Sequence, residues 1–359
     1  MQVSRSIAFV IIFAAAALLA WLFWRPDGGV SALRAAATPQ ERLIKGQSAA
    51  RTAGSMSAAR GALEDMRRAL RQMSVEEARA WILSELLHGE DFSTAMDLAV
   101  GTDQNLAGWP SYRVFLLDML FLVDPAAAAE KARELLNGPP AESNADEWAV
   151  AMRNLARSAQ VADTALLQAK SAELLQRNEW REKPSAGYLE AFDVIVHLRH
   201  TALTPELLRF CEDRDHKAVR HASFLTLDRL VMAKPAEVLP KLDDFAAAHP
   251  GSRLMISNMM ARADVRDAAQ RAALETYLMS PDRTAEELRG FASVFPNGNV
   301  AVSQNLLTRA PVLQGSDLAE QDRAALEAVT GWLADPRFAQ AQEALRLSHQ
   351  RLRSFTQAR

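Results

Sequence analysis

Residues 235–257 read PAEVLPKLDDFAAAHPGSRLMIS, and residues 281–303, which begin 46 positions later, read PDRTAEELRGFASVFPNGNVAVS. Each segment joins a helical stretch to a break that contains proline and glycine. A period of this length with two helices per unit is typical of stacked helical repeats. Phe245 and Phe291, which occupy the same place in the two segments, are therefore expected in the core. The two segments align without gaps and share these identical pairs: Pro235/Pro281, Leu242/Leu288, Phe245/Phe291, Ala246/Ala292, Pro250/Pro296 and Ser257/Ser303.

A third segment strengthens the repeat interpretation. Residues 215–222 read DHKAVRHA and are followed by spaced Phe and Leu residues. This segment resembles the second helix of a HEAT repeat, and the segments from Pro235 and Pro281 resemble that family more loosely. The resemblance implies that Val219 and Ala222 face a stacked core and that Asp215 and Arg220 tie neighbouring repeats together. Tetratricopeptide repeats are disfavoured, because their Trp, Leu-Gly and Tyr positions at a 34-residue spacing are absent.

The composition favours an all-α fold. The chain is rich in Ala, Leu, Arg, Glu and Gln, which are good helix formers, and no stretch favours a strand. Short breaks between the amphipathic stretches predict antiparallel helix pairs arranged as a HEAT-like superhelix. Helix starts are predicted at two capping boxes and at three oxygen-bearing residues followed by proline. These signals are Ser74–Glu77, Thr284–Glu287, Asp124-Pro125, Thr204-Pro205 and Asp335-Pro336.

The N-terminus carries a candidate membrane span. Residues 7–24 read IAFVIIFAAAALLAWLFW, a run without charge that would be about 27 Å long as a helix. The run is longer than the apolar part of a signal peptide, and small residues suited to cleavage come only at Ala35–Ala37, so an uncleaved anchor is favoured over a cleaved signal. We therefore expect an anchor over residues 1–25, a flexible tether over 26–55 and a helical repeat domain over 56–359.

The side of the membrane is predicted from two opposing arguments. Arginines are more numerous after the span than before it, and the positive-inside rule would place the body in the cytoplasm. Long domains, however, cross the membrane largely regardless of charge, and a six-residue N-terminal tail most simply stays inside. The body is therefore expected in the periplasm or another extracytoplasmic space.

Several functional classes are disfavoured. A formal charge of −3 and a pI near 6.2 argue against a nucleic-acid partner, which would require a surplus of basic residues. Cys211 is the only cysteine, so an intrachain disulfide and a cysteine metal cage are excluded, and its setting predicts a small buried apolar residue. Because the short signatures of nucleotide sites, metalloproteases and serine hydrolases are absent, no catalytic or cofactor-binding residue is assigned.

One polar stripe admits two interpretations. Glu190, Asp193, His197 and His200 fall within an arc of about 80° on an otherwise apolar helix. The favoured interpretation is a solvated face, which assigns no metal ligand. The alternative is a metal-dependent enzyme, since two imidazoles and two carboxylates suit Zn²⁺, Mn²⁺ or Fe²⁺. His216 and His221 are the nearby residues that could complete such a site.

Taken together, the sequence favours a binding protein over an enzyme. The expected function is that of a membrane-tethered helical-repeat scaffold that engages a protein or peptide partner without catalysis and without a cofactor. The tryptophans of the body are assigned to packing, since no basic cluster accompanies them. They are Trp81, Trp109, Trp148, Trp180 and Trp332.

Overall fold

A computed structural model describes residues 37–88, 90–139, 144–158, 163–301, 304–309 and 315–357. These residues are predominantly helical, which confirms the all-α prediction. The predicted membrane span at residues 7–24 lies outside the described residues. Within the described ranges, every helix is too short or too polar to cross a bilayer.

The described part of the chain contains eighteen α-helices, three short 3₁₀ segments and one two-stranded hairpin. The helices are α1 Pro39–Arg51, α2 Met56–Leu70, α3 Val75–His88, α4 Tyr112–Val123, α5 Pro125–Asn137, α6 Ala145–Arg157, α7 Asp163–Gln176, α8 Asn178–Glu182, α9 Ala186–Glu190, α10 Phe192–His197, α11 Thr204–Glu212, α12 Lys217–Ala233, α13 Pro235–Ala248, α14 Arg253–Met260, α15 Ala268–Met279, α16 Ala285–Val294, α17 Gly315–Ala334 and α18 Gln342–Gln357. The 3₁₀ segments are Thr201–Leu203, Pro250–Ser252 and Pro336–Ala341, and the strands are β1 Ala99–Val100 and β2 Leu106–Gly108.

Helix α1 corrects the predicted domain boundary. Residues 39–51 were assigned to a flexible tether, but they form a helix that packs on α2 with Leu43 fully buried. The approach is close, since a Cβ at Gly46 would lie only 2.3 Å from Cγ of Met66. The helical body of the described residues therefore includes α1, which is capped by the hydroxyl of Thr38. The sequence concealed this helix because its buried positions are few and include a glycine.

The hairpin between α3 and α4 was not predicted, because its residues lack a strand-forming run. Its turn is closed by local polar contacts, in which the Asp103 carboxylate accepts a hydrogen bond from the backbone N–H of Asn105 at 3.0 Å. At Gly108 a Cβ would lie 2.5 Å from the carbonyl oxygen of Asp97, so only glycine fits there. These short-range contacts support extended backbone without a strand-like sequence.

The core runs continuously through the helices and accounts for the tryptophans. Trp109, Trp148 and Trp332 are buried, and Trp81 and Trp180 are half-buried against the same core. The prediction that all five serve packing is confirmed. Cys211 is also buried, and burial raises the pKa of its thiol to about 12, as expected of a small apolar core residue.

A series of arginine–aspartate ion pairs connects helices along the body. In each pair at least one side chain is largely removed from water. The partners are separated by 30 to 40 residues in the sequence, so each pair joins elements that are one or two helices apart. The pairs are Asp118–Arg153, Arg133–Asp163, Asp193–Arg229, Asp228–Arg262 and Asp243–Arg283.

The two segments related by the 46-residue shift differ in their second halves. The first contains α13 and α14, whereas the second contains α16 and continues from residue 295 to 301 without a helix. The side-chain amide of Asn297 donates a hydrogen bond to the carbonyl of Asn258 in α14, which directs the chain across that helix. Phe291 is fully buried, but Phe245 is only half-buried and stacks on His249. The expectation of equivalent core rings is therefore wrong for Phe245.

The residues on which the HEAT-like resemblance rests lie in different surroundings. Val219 is fully buried, and Asp215 is exposed. The turn before α12 is instead closed by Asp213, whose carboxylate accepts hydrogen bonds from the backbone N–H groups of Asp215 and His216.

The expected cap at Thr204 is absent, since Thr204 lies inside α11 and its hydroxyl donates to the carbonyl of Thr201.

Candidate functional site: a groove along helix α12

The most distinctive surface is a groove between α10 and α12, called here the α12 groove. Segment 304–309, which connects α16 to α17 in the sequence, lies in this groove and bends at Leu306 and Leu307. The side chain of Leu306 is fully buried there. Two pockets lined by α12 and this segment remain open beside it. The groove thus already holds one stretch of polypeptide.

Asp193 on α10 holds the backbone of this segment. One carboxylate oxygen accepts hydrogen bonds from the backbone N–H groups of Leu307 at 2.6 Å and Thr308 at 2.8 Å. The other oxygen pairs with Arg229 of α12 at 2.7 Å and accepts the hydroxyl of Thr308. Asp193 is buried, so these contacts replace its hydration. Two successive main-chain donors on one carboxylate oxygen hold the bent backbone of this segment through groups that every residue except proline carries.

Arg157, at the end of α6, contacts the same segment. Its guanidinium donates to the carbonyl oxygen of Leu306 at 3.3 Å and to that of Gln104 at 2.6 Å. Burial, followed by the nearby charge of Arg153, lowers the pKa of Arg157. The segment is therefore bound through both its N–H and its carbonyl groups.

The first open space is the Glu190 pocket, which measures about 250 Å³. Its lining combines apolar side chains with polar groups from α9, α10, α12 and segment 304–309. Burial, with a smaller effect of the adjacent Asp193 charge, raises the pKa of Glu190 to about 7. This carboxyl group therefore titrates near neutral pH. The lining residues are Leu189, Glu190, Phe192, Asp193, Ala218, His221, Ala222, Leu225, Thr226, Arg229, Gln304 and Asn305.

The second space is the Arg199 pocket, which measures about 330 Å³ and lies at the other end of segment 304–309. Arg229 lines both pockets, so they flank the same ion pair. The lining combines cationic and apolar side chains without a carboxylate. The lining residues are Val196, His197, Arg199, Arg229, Met232, Ala233, Thr308 and Arg309.

The four residues of the predicted polar stripe are distributed over different surroundings. Glu190 and Asp193 line the Glu190 pocket, and the exposed His197 lines the Arg199 pocket. His200 lines neither of them, and burial together with the charge of Lys241 lowers the pKa of its ring. The expectation of a solvated stripe is wrong for Asp193, which is buried and fully engaged.

The metal-dependent alternative lacks a ligand set among the described residues, where three or more His, Cys, Asp or Glu side chains nowhere converge. Of the additional histidines considered, His216 bonds to Asp213 through Nδ1 at 2.7 Å. His221 lines the Glu190 pocket.

Sequence reasoning missed the residues that complete the groove. Arg229 lies 36 positions from Asp193, and Leu307 lies 114 positions from it. Periodicity within one helix gives no signal for such contacts. A partial signal was available at Arg199, which follows the apolar run of α10 where glycine is usual.

Comparisons with known proteins were made for family, sequence and structure. No family model matches the chain, and no curated protein or solved structure is significantly similar to it.

Proposed function

We propose that this chain is a membrane-tethered helical-repeat protein that binds an extended stretch of a protein or peptide partner in the α12 groove. In this proposal the body lies outside the cytoplasm and acts by binding, without catalysis. The observation that carries the proposal is the capture of segment 304–309 through its main chain by Asp193 and Arg157.

The peptide ligand is supported by the scale and chemistry of the groove. The two pockets measure about 250 and 330 Å³, at or below the lower end of sites for small molecules and suitable for individual side chains. They lie at the two ends of segment 304–309, and spaced side-chain pockets of this kind are typical of peptide-binding grooves. In such grooves main-chain contacts supply affinity and pockets supply selectivity. Here the chain's own segment 304–309 takes the main-chain contacts of Asp193 and Arg157, and the two open pockets beside it remain for side chains of the partner.

The repeat architecture is supported by the spaced ion pairs. In four of the five pairs the aspartate comes first and the arginine follows 34 to 40 residues later. A recurring contact between successive units is what stacked repeats require, because each unit touches only its neighbours. We infer that the body is an antiparallel helix-pair superhelix. In this arrangement the ion pairs connect neighbouring repeats, the role that was expected of Asp215 and Arg220.

The membrane tether is supported by the sequence and by the position of α1. The apolar run ends at Trp24, and the cap of α1 is Thr38. The thirteen intervening residues, 25–37, allow at most about 50 Å between Trp24 and Thr38 when fully extended, so the body would stay close to the bilayer. A groove held there would meet partners at the membrane surface.

Peptide display tests the binding proposal. Random 12-residue peptides are selected on the full chain in nanodiscs, and the selected pool is rescreened on two variants. Leu225→Glu places a charge in the Glu190 pocket, whereas Leu347→Glu makes the same change on exposed α18. We expect selected peptides to lose binding to Leu225→Glu and to keep binding to Leu347→Glu. Equal binding to both variants, or a failure to select any peptide, would contradict the proposal.

A further inference from the structure

The Arg199 pocket carries a positive charge that the described residues do not neutralise. Of its three arginines, Arg229 is paired with Asp193. Arg199 and Arg309 have no carboxylate partner within the described ranges, and the pocket lining contains no Asp or Glu. Arg199 and Arg309, which are both exposed, therefore add two positive charges to the lining of one space of about 330 Å³ that has no acidic lining residue.

The backbone at Arg199 favours a role for its side chain. Arg199 has a φ of 50°, in the left-handed region that glycine adopts most easily. It ends α10 in a Schellman arrangement, with the N–H of His200 bonded to the carbonyl of Ile195 and the N–H of Arg199 to that of Val196. Glycine would satisfy this backbone without strain. The arginine instead adds a guanidinium to the pocket.

The rest of the lining limits the chemistry of the ligand. Val196, Met232 and Ala233 contribute apolar lining, and Thr308 of segment 304–309 also lines the pocket. A carboxylate on a short hydrocarbon stem matches both features, because guanidinium groups bind carboxylates in a bidentate manner and the stem can contact the apolar wall.

We propose that the Arg199 pocket is a subsite for a carboxylate of the bound polypeptide, supplied by an acidic side chain or by the C-terminus. The inference rests on the proposed function and adds a selectivity to it. Arg199 and Arg309 bind the carboxylate, and the Asp193–Arg229 pair separates this subsite from the Glu190 pocket. The favoured partner is an acidic extended segment.

The test uses fluorescein-labelled hexaglutamate, with labelled hexalysine for comparison, and the full chain in phosphatidylcholine nanodiscs at about 20 mM salt, where charge attraction is weakly screened. We expect saturable binding of hexaglutamate only. Arg199→Gln/Arg309→Gln should weaken binding at least fivefold. Arg60→Gln/Arg353→Gln removes the same charge from exposed positions and should leave binding unchanged. Arg199→Gly should bind weakly while unfolding at a higher urea concentration than the parent, which separates lost recognition from lost folding.

Three results would overturn the subsite. The first is that the Arg199/Arg309 double variant binds hexaglutamate as tightly as the parent does. The second is that the parent binds hexalysine as tightly as hexaglutamate. The third is that inorganic phosphate displaces labelled hexaglutamate at a lower concentration than unlabelled glutamate peptide does. Display-selected peptides without enrichment of Asp or Glu would likewise reject the subsite while leaving the proposed function in place. Arginine-dependent hexaglutamate binding without any display-selected peptide would reject the proposed function and leave an anion site.

Discussion

Replacement of Asp193 by asparagine removes the charge at the centre of the α12 groove and keeps nearly the same shape. The parent carboxylate accepts the main-chain N–H groups of Leu307 and Thr308, the Thr308 hydroxyl and the Arg229 guanidinium. In Asp193→Asn, the Arg229 side chain, which is 11% exposed in the parent, loses its ion-pair partner. The new amide also places an N–H donor where the carboxylate accepted hydrogen bonds. Breaking a buried pair in this way costs about 3 to 5 kcal/mol. Because two open pockets border Arg229, we expect the lower end, about 3 kcal/mol.

Two measurements on the full chain check this expectation. Urea unfolding gives the loss of stability, and hydrogen exchange should report faster exchange at the amides of Leu307 and Thr308 than at those of the core helices. Asp282→Asn is the matched control, since Asp282 is exposed and should cost less than about 0.5 kcal/mol. A loss below about 1 kcal/mol for Asp193→Asn, with unchanged exchange at both amides, would refute the role assigned to this carboxylate.

Three further predictions follow from burial and charge. Burial raises the pKa of Glu190 from 4.5 to about 7, so the folded state loses stability as pH rises through this window. Glu190→Gln should therefore be more stable than the parent by about 1 to 3 kcal/mol at pH 8, and the two proteins should be equally stable at pH 4. An equal difference in urea midpoint at both pH values would contradict this. Deletion of residues 1–36 should leave a cooperatively folding helical body, whereas deletion of residues 1–55 also removes α1 and should lower the melting temperature. Equal melting temperatures for the two deletions would support a tether that extends to residue 55. Phe291→Ala should cost about 3 to 5 kcal/mol and Phe245→Ala clearly less, and equal costs in denaturant unfolding would show that the two rings are equally buried.

Local signals were readable from the sequence because their partners lie three residues apart. Ser74 and Glu77 form the expected reciprocal cap, and Thr284 and Glu287 do the same at α16. Asp124 caps α5 before its proline as predicted. Thr204 failed because a 3₁₀ turn precedes it and the helix continues through it. Caps therefore predict helix starts well where the preceding backbone is extended.

The groove could not be predicted, because it depends on contacts between distant parts of the chain. Glu190 and Asp193 were singled out by their spacing on one helix, which is a local property. Their different environments are set by Arg229 and by the backbone of segment 304–309, which helix periodicity does not report. The alignment of the two segments at a shift of 46 residues likewise does not predict the hydrogen bond from Asn297 to α14, or that residues 295–301 form no helix.

Site-specific photo-crosslinking in intact membranes tests most directly the claim that the α12 groove binds polypeptide. A photoreactive phenylalanine is placed at Ala218, which is exposed and lines the Glu190 pocket, or at Arg353, which is exposed on α18. We predict a discrete protein adduct from position 218 that mass spectrometry maps to an extended segment of the partner and that Leu225→Glu abolishes. The same adduct from position 353, or the absence of any protein adduct from position 218, would contradict the account.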